Sequence, residues 1–141
     1  MRIVLDTSVL VVAIRSPLGA SKALLEAALE DRIEILISTA LVLEYEAVLT
    51  RSEHLHVSGF TLGEVEELLD SICQRASEVT VQWHWRPQLE DPDDEMVLET
   101  AINGYANAIV TFNRSDFTRA AKDFNMNVLS PSEALEMLEG Q

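Results

Sequence analysis

Short unbroken apolar runs alternate along the chain with longer stretches whose apolar positions recur every three to four residues. The first kind reads as strand and the second as helix. Residues 3–5, 33–38, 79–83, 108–111 and 127–129 are the expected strands. Residues 7–15, 20–29, 39–51, 61–77, 93–103, 115–124 and 131–138 are the expected helices. The clearest is 61–77, where Glu64, three residues after Thr61, completes a capping box. Acids at the start of 93–103 complement the helix dipole, and Pro131 suits a first helical turn. Residues 52–59, which carry His54 and His56, and residues 85–92 read as loops. Strands alternating with helices imply an α/β fold with a parallel sheet covered on both faces. No repeat, low-complexity segment or domain boundary interrupts the pattern, so residues 1–141 are expected to form one domain.

Composition changes this picture in three places. The 48% apolar content is that of an ordinary globular chain, long enough to bury a proper core. Charge is less ordinary: 10 Lys and Arg face 24 Asp and Glu, a formal net charge of −14. Taken alone, that disfavours nucleic acid as a partner, because phosphate contacts need a positive surface. It leaves room for a local basic patch, for a metal that reverses the local field, or for a basic protein partner. The single cysteine, Cys73, excludes an intrachain disulfide and fits a reducing compartment. It belongs to an apolar stripe with Val65, Leu68, Leu69, Ile72 and Ala76, which predicts a core residue rather than a nucleophile. The N-terminal apolar run is broken by Asp6 and too short to span a membrane, and it lacks the features of a secretory signal. A cytoplasmic protein without membrane attachment is expected.

Candidate chemistry lies among the acids. In open α/β sheets, ligands bind beyond the carboxyl ends of the strands. Asp6 directly follows the first expected strand, and Asn113 and Asp116 follow 108–111. Each also fits a turn or a helix cap. Glu44 has Ala40, Leu41, Ala47 and Val48 as its helical neighbours, which puts a carboxylate on an apolar face. Burying it unpaired is costly, so it reaches the rim or meets a cation. Glu46 has nearly as apolar a setting, and the pattern leaves the two open. Asp91, Asp93, Asp94 and Glu95 put four acids within five residues at a helix start, more than a cap requires.

Four features, in this order, resemble the PIN-domain family in its branch of VapC-type toxins. They are strand-Asp6-Thr7-Ser8, the helical run from Leu43 to Leu49, the acidic run from Asp91 to Glu95, and Ile109-Val110-Thr111-Phe112-Asn113-Arg114-Ser115-Asp116-Phe117. The resemblance covers nearly the whole chain. It implies a three-layer α/β/α sandwich around a parallel sheet of about five strands. It also implies acids gathered at one end to bind Mg2+ or Mn2+. Asp6 matches the family's first acid, Glu44 the second and Asp116 the last, with Ser8 as a small polar helper near the metal. For the third acid, Glu95 is the nominal match and its neighbour Asp94 an equal candidate. Asn113 stands where many members carry aspartate, which puts a second metal in doubt.

The activity so implied is metal-dependent hydrolysis of RNA, in the toxin half of a toxin–antitoxin pair. A small antitoxin and a second copy of the chain would be partners. Metals held by carboxylates activate water and relieve phosphoryl charge, so no histidine base is needed. His54, His56 and His84 are read as surface residues. Arg15, Lys22, Arg51, Arg114, Arg119 and Lys122 could form a positive rim, and Arg114 and Arg119 stand nearest the last acidic motif. Trp83 and Trp85 could stack bases, but alternate along a strand and suit core or interface better. A phosphoacceptor receiver would need paired acids after the first strand and a lysine after the last. An aspartate-nucleophile phosphatase would need Asp-x-Asp where Asp6-Thr7-Ser8 stands. The remaining alternative is a catalytically weak or inactive PIN fold that serves as a binding module, which Asn113 and the low basic content favour. The nuclease reading requires carboxylates from distant stretches to converge on one cation.

Overall fold

Four residues at the N-terminus, Arg2–Leu5, form strand β1, and its last three are buried. Residues 34–37 (β2, Glu34–Ile37) and 108–110 (β4, Ala108–Val110) repeat the pattern. Consecutive buried residues, rather than alternating ones, mean that both faces of these strands are covered. The computed structural model describes residues 1–82 and 91–140. The end of the expected strand 79–83, most of the expected loop 85–92, and Trp83, His84 and Trp85 fall largely outside them.

The remaining strands are β3 (Ser77–Glu78) and β5 (Asn127–Leu129). All five pair in parallel in the order β3-β2-β1-β4-β5. The helices are α1 (Thr7–Arg15), α2 (Ala20–Leu29), α3 (Thr39–Leu49), α4 (Ser52–Ser58), α5 (Leu62–Arg75), α6 (Pro92–Asn103), α7 (Thr118–Asp123) and α8 (Pro131–Glu139). A short 3-10 turn, Arg114–Asp116, precedes α7. Helices flank the central sheet, as expected: α6 lies against β1, β2 and β4, while α5 meets β2 and α8 meets β5.

Local chemistry explains the boundaries. Thr61 accepts a hydrogen bond from the Glu64 N–H and Glu64 returns one, so the expected capping box starts α5. Ser130 and Glu133 repeat the device at α8. The expected loop 52–59 is instead mostly helix α4. It is closed by Gly59, whose left-handed backbone (φ 76°) ends a helix at no steric cost. This corrects His54 as well: it is buried on α4, whereas His56 is exposed as expected. Cys73 is exposed, not core, because the stripe that buries Val65, Leu69 and Ile72 passes beside it. Its thiol is held above its usual range by partial desolvation, then by Asp70 and Glu78, which agrees with an inert group. The helix expected to run to 77 stops at Arg75, and the strand begins at Ser77, two residues early. Val79 follows it, buried, with its N–H on the Ile37 carbonyl at 2.7 Å. Among the described residues no single helix is long and apolar enough to cross a membrane.

Candidate active site

Chain order in the sheet reverses between β1 and β4, and the site lies beyond the carboxyl ends of these two strands. Leu5 is in register with Val110, so the next residues, Asp6 and Thr111, lie side by side. The Asp6 N–H donates to the Val110 carbonyl at 2.9 Å. Thr111 Oγ1 donates to Asp6 Oδ2 at 2.7 Å, and Ser8 Oγ donates to the same oxygen at 2.8 Å. Asp6 is only 7% exposed. Two hydroxyl donors on one oxygen fix the carboxylate's direction. Thr111 Oγ1 also accepts the Asn113 N–H at 2.9 Å, which folds the following loop back over β4.

Helix α3 approaches from the side. Tyr45 is buried and donates its hydroxyl to the Leu5 carbonyl, so the residue after Glu44 is tied to the end of β1. Burial, followed by the Asp6 charge, holds the Tyr45 hydroxyl protonated far above its ordinary range. Ser38 caps α3 through the Leu41 N–H at 3.3 Å and shares a hydrogen bond with Thr100 of α6 at 2.8 Å. The helices that carry Glu44 and the acidic run are therefore joined by a buried pair of hydroxyls. Glu44 is half-buried while Glu46 is exposed. The Glu44 carboxyl is raised by desolvation, then by the charge and shared hydrogen bond of Asp93, with Asp91 adding and Arg51 opposing.

Asp91 caps α6 by accepting the Asp93 N–H at 2.9 Å, with Pro92 in the first turn. Asp94 is half-buried. Its carboxyl is pushed up to about 7 by desolvation, then by the charges of Asp6, Asp91, Asp116 and Asp93. Glu95 is 3% exposed, in the packed side of the helix. Asp116 is exposed in the 3-10 turn, and Asn113 is exposed just before it. Arg114 pairs with Glu133 at 2.5 Å, and Arg119 is exposed on α7.

Asp6, Asp94 and Asp116 thus share one electrostatic neighbourhood, and Glu44 joins it through Asp93. They do not form a ready-made ligand cluster: among the described residues no three His, Cys, Asp or Glu side chains stand close enough to hold an ion. The donors still fit a hard cation, since all are oxygens and Mg2+ keeps several of its waters. Thr111 and Tyr45 lie within the motifs quoted from the sequence but were given no role there, and Asp93 was named only as part of the acidic run. Only the β1–β4 register shows that Thr111 faces Asp6.

These features define a doubly wound α/β domain with an acidic site at its switch point. The PIN domain family model matches residues 2–115. The chain belongs to the PIN-domain family, whose members are generally nucleases that depend on a divalent metal. A search of curated protein sequences finds no match. Among solved structures, the fold is similar to that of VapBC2 from Rickettsia felis bound to a DNA fragment from its promoter. The identity is 18% and the TM-score 0.62, over 92% of this chain and 98% of the other.

Proposed function

We propose that this chain is a Mg2+- or Mn2+-dependent endoribonuclease, folded as one PIN domain over residues 1–141, that acts in the cytoplasm as the toxin of a toxin–antitoxin pair. One observation carries the reading: Asp6 stands at the sheet's switch point with its Oδ2 held by the Thr111 and Ser8 hydroxyls, and the charges of Asp6 and Asp116 bear on Asp94. Membership of a family of nucleases and the hard-oxygen donor set support it. β5 and α8, which lie beyond the matched residues, belong with the same sheet, and this supports a single domain.

Asp6, Glu44, Asp94 and Asp116 would hold the metal, some through water. A bound divalent ion supplies an activated water and relieves charge on the phosphoryl oxygens. Thr111 and Ser8 hold Asp6 in one orientation. Asp94 takes the third place ahead of Glu95, because its charge meets those of Asp6 and Asp116 whereas Glu95 packs inside. Asn113 orients ligand or substrate through its amide, and Arg114 and Arg119 face the RNA. One similar solved structure is VapBC2 bound to promoter DNA, and the sequence motifs resemble VapC-type toxins. By analogy this chain takes a small antitoxin and forms a homodimer.

Cleavage of RNA in Mn2+ by the parent and by Asp6→Asn tests the reading. The parent should cut, and the variant should lose about a hundredfold or more. Equal activity would remove Asp6 from the mechanism. No cleavage by either protein would favour the second reading, a binding module, which Asn113 and the absence of a tight ligand cluster among the described residues support. Finding no neighbouring antitoxin gene and no growth defect on expression would remove the toxin role alone.

A further inference from the structure

Phe112 follows a fully buried strand, yet 50% of its surface is exposed. Its backbone N–H stands 3.4 Å from Ser8 Oγ, which is itself 2.8 Å from Asp6 Oδ2. An exposed aromatic residue therefore stands at the lip of the carboxylates. Two residues on, Arg114 opens a groove between α7 and β5 of about 640 Å3, lined also by Ser115, Thr118, Lys122, Asn125 and Asn127. That is the size of a small-ligand site. Among the described residues no Asp or Glu lines it. Between residues 114 and 123, Arg114, Arg119 and Lys122 outnumber Asp116 and Asp123, in a chain whose net charge is −14. The groove beside Phe112 is thus lined by cations and neutral polar groups, although Asp116 and Asp123 stand nearby and Glu133 pairs with Arg114.

We propose that Phe112 is a stacking platform for an unpaired base beside the scissile phosphate, and that the α7–β5 groove receives the adjoining nucleotide. The word scissile rests on the nuclease reading above; the binding does not. Every base has a π-face, so an exposed phenyl ring accepts any sequence. A base in a duplex is already stacked on both sides and cannot lie on the ring. Lys122 supplies a flexible cation for the next phosphate. Arg114 has donors beyond the one it gives Glu133.

The test uses Asp6→Asn protein in EDTA, so that nothing is cut, and an oligoribonucleotide of about 10 nucleotides carrying the fluorescent base 2-aminopurine. Binding should quench the fluorescence. Phe112→Ala should abolish the quench and weaken binding about tenfold, while Phe112→Tyr should retain both. The same sequence as a duplex should bind about tenfold more weakly. Lys122→Glu should weaken binding and flatten its salt dependence. Undiminished binding and quench in Phe112→Ala, or duplex binding as tight as single strand, would overturn the proposal. So would loss of a protein partner by Phe112→Ala with RNA binding intact. If quenching is seen but the parent cuts nothing in Mn2+, the nuclease reading fails and the platform stands. If the parent cuts and Phe112→Ala binds unchanged, the platform fails and the nuclease stands.

Discussion

Asp94 stands where burial and four neighbouring carboxylates all oppose its ionisation, which is why its carboxyl titrates near 7. Its reference value is 3.8, so between pH 4 and 7 the folded chain binds a proton that the unfolded chain releases. By linkage, this group's contribution to stability falls as pH rises across that window. Asp94→Asn cannot ionise and escapes the loss. Without divalent metal, the variant and parent should melt alike near pH 4, and the variant should be more stable above pH 7. The gain should be on the order of 1–2 kcal/mol once solvent screening is allowed for. Thermal melts across that range check it, and parallel curves would show that Asp94 does not feel the other acids. Glu44, raised by desolvation and by Asp93, adds to the same slope. Asp6 differs in kind, because two hydroxyl donors meet its Oδ2. The site thus joins a carboxylate held by two hydroxyls to carboxyls raised by burial and by one another, with Arg51 opposing at Glu44.

Helix α6 carries that acidic turn at one end and packs tightly at the other. A Cβ on Gly104 would stand 2.7 Å from both Leu36 Cδ1 and Val79 Cγ2, and 3.0 Å from the Thr100 carbonyl oxygen. Gly104→Ala should therefore push α6 off β2 and the chain after β3, destabilising the fold by roughly 1–3 kcal/mol. Urea unfolding measures it, and an unchanged midpoint would mean that the helix end has room. No pattern of apolar residues announces such a contact, because it depends on how closely two elements approach. The same division runs through the rest of the fold. Strand–helix alternation showed in the sequence because buried strands and amphipathic helices have different periods. Helix α4 was missed: it spans only seven residues, and it is polar apart from Leu55 and Val57. The positions of Asp6 and Asp116 after strands were legible, because strand ends follow from the apolar runs. The role of Thr111 was not, since it comes from pairing between residues about a hundred positions apart. Asp94 and Glu95 were left open in sequence, because adjacent residues on a helix point in different directions and their burial, half for Asp94 and nearly complete for Glu95, comes from the packing of α6.

At the scale of the whole molecule, the five-stranded order places the two central strand ends, and hence Asp6 and Thr111, at the point where the chain reverses direction through the sheet. The whole chain carries a formal charge of −14, so divalent ions will gather at its surface whether or not a specific site exists. Specific binding differs from this general screening in what a single substitution does. An ion held only by the folded state raises stability by RT ln(1 + [L]/Kd). At an ion concentration a hundred times Kd, this is about 2.7 kcal/mol, or roughly 5–10 °C in Tm for a chain of this length. Mn2+ should raise the parent's melting temperature by that order over NaCl of equal ionic strength. Asp6→Asn changes the net charge by a single unit, so it should keep any rise caused by screening and lose the rise caused by coordination. Equal shifts in the two proteins would show that the acids act as a diffuse negative surface and that Asp6 does not hold the ion. A shift confined to the parent would tie the chain's acidity to one site, and would do so without any measurement of RNA cleavage.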